Sequence, residues 1–166
     1  IYFSKPLKSK FMIRRIQTLY LFLVLILSSV TLFSPVAVLF NKESATLYEI
    51  SYKGLCLLDE SSKVPVSSVW ALTAISAIVP VVTLIIIFLY NKRLIQIRLS
   101  IFNMIIMLGY YVILFIYLFY AAKTLHADWS LKIVSAFPLV NIILTLLAMR
   151  AIAKDEALIK SLNRLR

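Results

Sequence analysis

Four stretches of this chain run so long without a charged side chain that a lipid bilayer is the environment they suit. Residues 16–40 give 25 positions free of Asp, Glu, Lys, Arg and His, residues 69–90 give 22, residues 99–122 give 24 and residues 133–149 give 17. About 20 helical residues, each rising about 1.5 Å, cross the hydrocarbon core. Backbone groups in lipid must find their hydrogen bonds within the segment, so runs of this kind fold as helices. The fourth run is short and takes residues 129–132 as an interfacial start. The expected fold is therefore an all-α integral membrane protein, one domain with four transmembrane helices at about 16–40, 69–90, 99–122 and 130–149. A loop at 41–68 and a tail at 150–166 lie outside the spans.

Composition agrees, with 62% hydrophobic and 15% charged residues, against about 25% charged in soluble domains. The net charge of +11 would suggest nucleic acid in a soluble chain. Here it follows from topology, because Lys and Arg gather on the cytoplasmic side of membrane spans, and no nucleic-acid partner is expected. Of the 18 Lys and Arg, 13 fall before the first span, in 91–98 or after residue 149, and five fall in 41–68 and 123–132. Both termini are thus expected in the cytoplasm and the 41–68 loop in the periplasm. The 25-residue first span exceeds the ~7–15 apolar residues of a signal peptide, so it reads as a retained anchor. Met12 stands at its natural entrance, and residues 1–11 read as a variable extension.

Catalytic and metal-binding signatures are missing from the sequence. One His (His126) and one Cys (Cys56) supply neither a metal site nor a thiol pair, and Cys56 reads as a small buried hydrophobe. The spans hold none of the ionisable groups that mark proton relays and ion paths. No metal, cofactor or catalytic residue is expected, and the chain reads as a non-enzyme. Each span does carry a weakly polar stripe: Gln17, Val24, Ser28, Thr31 and Pro35; Thr73, Ser76, Pro80 and Thr83; Asn103, Tyr110 and Tyr117; Pro138, Asn141 and Thr145. Such stripes are helix-packing surfaces first. A lipid or ligand groove between them is the alternative, with Gln17, Asn103, Tyr110 and Asn141 as its polar contacts. Tyr90, Tyr120, Trp70 and Trp129 fall at span ends, as aromatic belts do.

The 41–68 loop carries four of the seven acidic residues, Glu43, Glu49, Asp59 and Glu60. Its centre, TLYEISYKGLCLLDE, places apolar and β-branched residues on both sides of Lys53–Gly54, where a short hairpin is expected. The apolar run 55–58 suggests that it packs on the helix ends or on a partner. The tail AIAKDEALIKSLNRLR is amphipathic: Ala151, Ile152, Leu158, Ile159, Leu162 and Leu165 share an arc, with Arg150, Lys154, Lys160 and Arg164 opposite. Glu156 precedes Lys160 by four residues, the favourable order. Asp155 falls inside the apolar arc and wants a cation, for which Arg14 and Arg15 are the nearest candidates. The tail is expected to fold back along the cytoplasmic membrane face, its basic side toward anionic lipid headgroups. Arg14, Arg15, Asp155, Glu156, Lys160 and Arg164 are its expected docking or partner residues.

Three segments, MIRRIQTLYLFL at 12–23, FLYNKRLIQIRL at 88–99 and FPLVNIILTLLAMRAIAKDEALIKSLNRLR at 137–166, resemble a family of small four-span inner-membrane proteins of Bacteroidota known only as a domain of unknown function. The resemblance covers most of 12–166 and is loosest in the outer loop. It implies a four-helix fold, multi-pass, in a Gram-negative inner membrane, and no activity or ligand. The expected function is that of a non-enzymatic accessory or assembly subunit of a larger inner-membrane complex, such as translocation or respiratory machinery. The alternative is a small transporter, channel component or lipid-binding protein. A membrane enzyme acting on headgroups through Asp155, Glu156 and the Arg pair is the least favoured reading.

Overall fold

The computed structural model describes the backbone of residues 6–42, 45–58, 63–89 and 92–163; side chains are described for 16–42, 45–58, 67–89, 92–154 and 156–157. Four helices carry the chain: α1 (Pro6–Phe33), α2 (Trp70–Phe88), α3 (Arg93–Leu125) and α4 (Phe137–Asn163). Each contains a segment long and apolar enough to cross a membrane. Between them lie five strands, β1 (Ala37–Asn41), β2 (Thr46–Ser51), β3 (Gly54–Leu58), β4 (Lys63–Ser67) and β5 (Ala127–Leu131). The strands form one antiparallel sheet in the order β4-β3-β2-β1-β5. The sheet sits at the bundle end where α1 and α3 finish and α2 and α4 begin, so the all-α expectation is corrected to a helical bundle with a small sheet at one end.

The expected 16–40 span is corrected too, since α1 stops at Phe33 and residues 37–41 are a strand. Pro35 is the cause. It has no N–H to continue the helix and it pushes Ser34 toward extended backbone. Val36 then joins the sheet, its N–H on the Ile50 carbonyl at 2.9 Å and its carbonyl taking the Lys132 N–H at 3.0 Å. The expected interfacial helix start at 129–132 is likewise a strand, β5, paired with β1. A 3-10 turn, Ile133–Ala136, leads from it into α4. The hairpin stands where the sequence places it: β2 and β3 pair from Leu47–Leu58 to Ser51–Gly54, leaving Tyr52 and Lys53 as a two-residue loop.

The bundle turns the few polar side chains of its helices inward, among apolar ones, and keeps its outside apolar, as suits a lipid surround. Gln17, Ser28, Thr31, Thr83, Ser100, Asn103, Asn141 and Thr145 are buried, while Leu19, Phe22, Ile26, Phe102, Ile105, Leu108 and Ile143 are exposed. Most buried hydroxyls bond back to their own helix, as Thr31 does to the Leu27 carbonyl (2.8 Å), Thr83 to Val79 (2.8 Å) and Thr145 to Asn141 (2.7 Å). This satisfies them without a partner helix. At the sheet end, Ala37, Leu39, Ile50 and Leu55 pack onto Leu72 of α2 and onto Leu114, Leu118 and Ala121 of α3. At 33 residues, or about 50 Å, α3 outruns the ~30 Å hydrocarbon core, and its last turns support the sheet.

The expected fold-back of the tail is corrected as well. α4 runs unbroken from Phe137 to Asn163, through residue 150, and packs along α1. Ile152, on the tail's apolar arc, is fully buried, so the arc begins by packing inside the protein rather than on the membrane surface.

Candidate functional site

Neutral polar side chains knit the helices together at several levels. The Asn103 Nδ2 donates to Thr83 Oγ1 at 3.0 Å, joining α3 to α2 deep in the bundle. Nearer the terminal end, Gln96 Nε2 donates to the Ile86 carbonyl at 3.1 Å. Tyr111 ties α3 to the start of α4: its hydroxyl donates to the Ser135 carbonyl at 2.7 Å and accepts the Leu139 N–H at 3.0 Å. That N–H is one of the first-turn donors no helix can satisfy internally. Residues 16–33, 70–88, 99–122 and 133–149 contain no Asp, Glu, Lys, Arg or His, so the chemistry of this interior is neutral hydrogen bonding.

The sequence-derived contacts Gln17, Asn103, Tyr110 and Asn141 all lie in that interior. Asn141 and Tyr110 line one cavity of about 20 Å³, together with Ser28, Thr31 and Ser76. Sequence reasoning missed Gln96 and Tyr111. The seven-residue spacing of Asn103, Tyr110 and Tyr117, carried one step back, reaches Gln96. No periodicity points to Tyr111, because its partners are backbone groups of another helix. Of the tail set, Arg14, Arg15, Asp155 and Lys160 have described backbone but no described side chain, and Arg164 lies outside the described residues, as do Glu43, Asp59, Glu60 and Tyr90. Glu156 is half-buried and has an interaction partner.

The sheet offers a second kind of surface. Its bundle-facing side carries Trp129, whose ring stands edge-on to Phe115 and Phe119 at 6.5 and 6.1 Å between centroids. Its other side carries the paired residues Phe40 and Leu47, 40% and 42% exposed, followed across the register by Leu58. Antiparallel sheets with one free face normally turn polar residues outward; this outward face is mixed, the row of Phe40, Leu47 and Leu58 ending at Asp128. The outward side also holds Glu49, buried and paired to Lys132 at 2.6 Å. At its rim Lys42 pairs with Asp128, both exposed, and the hydrogen bond to Asp128 raises the Lys42 ammonium above its ordinary pKa. Cys56 is buried, as expected. His126, in left-handed backbone (φ 46°), caps α3, and Asn41 Nδ2 donates to the Leu125 carbonyl beside it at 2.7 Å.

A cavity of about 270 Å³ opens between this sheet and α3, lined by Ile50, Leu55, Val69, Tyr117, Ala121 and Thr124 among others. It falls just below the roughly 300–1,000 Å³ of small-ligand sites. Among the described residues no three His, Cys, Asp or Glu side chains gather as a metal site would require.

Four helices long and apolar enough to cross a membrane, with neutral polar side chains between them and a sheet at one end, have the length and composition that a multi-pass helical membrane protein requires. Within that class the chain belongs to the family described as Domain of unknown function (DUF4293), whose model matches residues 13–165. No curated protein and no solved structure matches it.

Proposed function

We propose that this protein is a non-enzymatic accessory or assembly subunit of a larger complex in the inner membrane of a member of the Bacteroidota. In this reading both termini are cytoplasmic and the sheet is periplasmic, in line with the 13-to-5 division of Lys and Arg. The observation that carries the proposal is the outward face of the sheet. Phe40, Leu47 and Leu58 form an apolar row, bounded by Asp128, on a small platform packed against α2 and α3. A partner subunit covering that row would remove it from water, and an apolar surface is what a lasting interface selects. Mild-detergent purification with mass spectrometry tests this. A defined complex of fixed stoichiometry that falls apart on Leu47→Lys supports it; a chain that purifies alone, with the same yield as the variant, overturns it.

A second reading, a lipid-binding membrane protein, is favoured by the 270 Å³ cavity beside α3. Its walls are mainly apolar, with Tyr117, Tyr120 and Thr124 among the lining residues, as suits the end of an acyl chain. Native mass spectrometry would show one tightly held lipid, displaced in Ala121→Trp.

A further inference from the structure

The sheet has two edges, and they differ. β4, at one edge, carries Pro65 in mid-strand and an irregular register against β3 between Leu55 and Cys56. Proline and bulges are devices that keep an edge from pairing with another chain. β5, at the other edge, pairs with β1 over five consecutive residues and contains no Pro, Gly or bulge. Its one charge, Asp128, is taken up by Lys42.

The Lys132 N–H reaches the Val36 carbonyl at 3.0 Å, on the β1 side. Successive residues of an extended strand turn their N–H and C=O groups to opposite edges. Those of Asp128 and Ser130 therefore face β1, and those of Ala127, Trp129 and Leu131 face outward. Among the described residues no backbone hydrogen bond joins this outer edge to another segment. The strand runs back along α3, since the Trp129 ring stands beside Phe119 and Phe115, and the apolar stretch Ile133–Lys154 begins two residues after it ends. With the helices across a bilayer, Trp129 and Leu131, 39% and 40% exposed, lie at its boundary. Open sheet edges are not tolerated in lipid. What satisfies such an edge is a second strand, which carries N–H and C=O groups at the matching spacing.

A second copy of this chain does not fit there. Antiparallel pairing of β5 with itself has its two-fold axis perpendicular to the sheet. Because β5 runs along α3, that axis would lie in the membrane plane and turn the copy upside down, against the 13-to-5 division of Lys and Arg. Parallel pairing staggers like strands along one another and closes no two-fold.

We propose that the β5 edge is a strand-addition site for an extended segment of a different protein. This rests on the reading of the chain as a subunit of a complex and gives that contact its form. Main-chain bonds to Ala127, Trp129 and Leu131 build the ladder, and side chains at alternate positions give selectivity. Positions beside Trp129 and Leu131 take apolar residues, and those beside Asp128 and Ser130 take polar ones. The edge adjoins the outward apolar row, because Asp128 pairs with Phe40, so one partner can reach both.

Amide hydrogen exchange of the full chain, read residue by residue, tests this without any substitution. The chain is compared in native membrane vesicles and alone in phospholipid nanodiscs. The Trp129 and Leu131 amides are expected to exchange at least about tenfold more slowly in the native membrane, with the Asp128 and Ser130 amides, bonded to β1, slow in both. Fast exchange at Trp129 and Leu131 in both settings overturns the proposal. Slow exchange in both overturns it too, because lipid alone would then cover the edge. The mass of the particle extracted in mild detergent separates the two failures: a defined complex with an unprotected edge leaves the subunit reading standing, and a lone chain overturns both.

Discussion

Lys132 and Glu49 stand 83 residues apart in sequence, yet the Lys132 Nζ donates to Glu49 Oε1 at 2.6 Å. The pair closes the sheet across β1, binding the segment after β5 to β2, and so joins the two connections that build the platform. The Glu49 side chain is only 5% exposed while that of Lys132 is 39% exposed.

Breaking this pair from the Lys side removes one of the partners of a buried charge. Lys132→Met is expected to destabilise the protein toward the lower end of the ~3–5 kcal/mol typical of broken buried pairs, and adding Glu49→Gln should recover most of the loss. Thermal unfolding in detergent measures both. The exposed Lys42–Asp128 pair gives the contrast: Lys42→Ala should leave stability near neutral pH unchanged within error. Because the Lys42 pKa is raised on folding, any contribution is complete below its ordinary value of 10.5 and fades only as the pH rises through the higher folded value.

Gly54 follows the hairpin loop with φ +123°, and a Cβ there would lie 2.6 Å from the Ser67 carbonyl oxygen. Gly54→Ala meets both a strained backbone, worth about 1–3 kcal/mol, and a clash with the end of β4. The expected outcome is faster proteolysis of the 41–68 loop with the four helices still formed by circular dichroism.

The Asn103–Thr83 bond tests the interior. Thr83→Val takes the partner from a fully buried amide and should cost about 1 kcal/mol, near the ~0.6 kcal/mol average and within the ~1.7 kcal/mol ceiling measured for interhelical bonds. Asn103→Leu combined with Thr83→Val should cost less than the two single changes together, read by denaturation in mixed micelles.

Much of the bundle was legible in the sequence, and the sheet largely was not. Runs without charge report lipid contact directly, and the stripes of Gln17, Ser28, Asn103 and Asn141 identify the inward faces, because each helix must turn its few polar groups away from lipid. The β2–β3 hairpin was legible through Lys53–Gly54, a local signal. β1 and β5 were not, since Val36–Phe40 is as apolar as a helix and its strand state depends on pairing with Ile50 and with residues some 90 positions on. Only Pro35 marked the change. The tail misled for a related reason: an amphipathic arc does not say what buries it, and Ile152 is buried by the bundle itself.

Orientation can be read with a single thiol. Cys56 is buried, so Lys53→Cys, at the exposed hairpin tip, is expected to react with a membrane-impermeant maleimide from the periplasmic side of spheroplasts. A thiol placed at Lys92, between α2 and α3, should react only after the membrane is opened. The reverse pattern would invert the proposed topology.

The most direct test of the docking platform is a photo-crosslinking amino acid at Phe40, activated in intact cells. The expected result is one defined adduct with a second, different membrane protein, reproduced from Leu47 on the same row and absent from Phe102, exposed on α3. Adducts to lipid alone from Phe40 and Leu47, or none, would contradict the claim that this face carries a partner subunit.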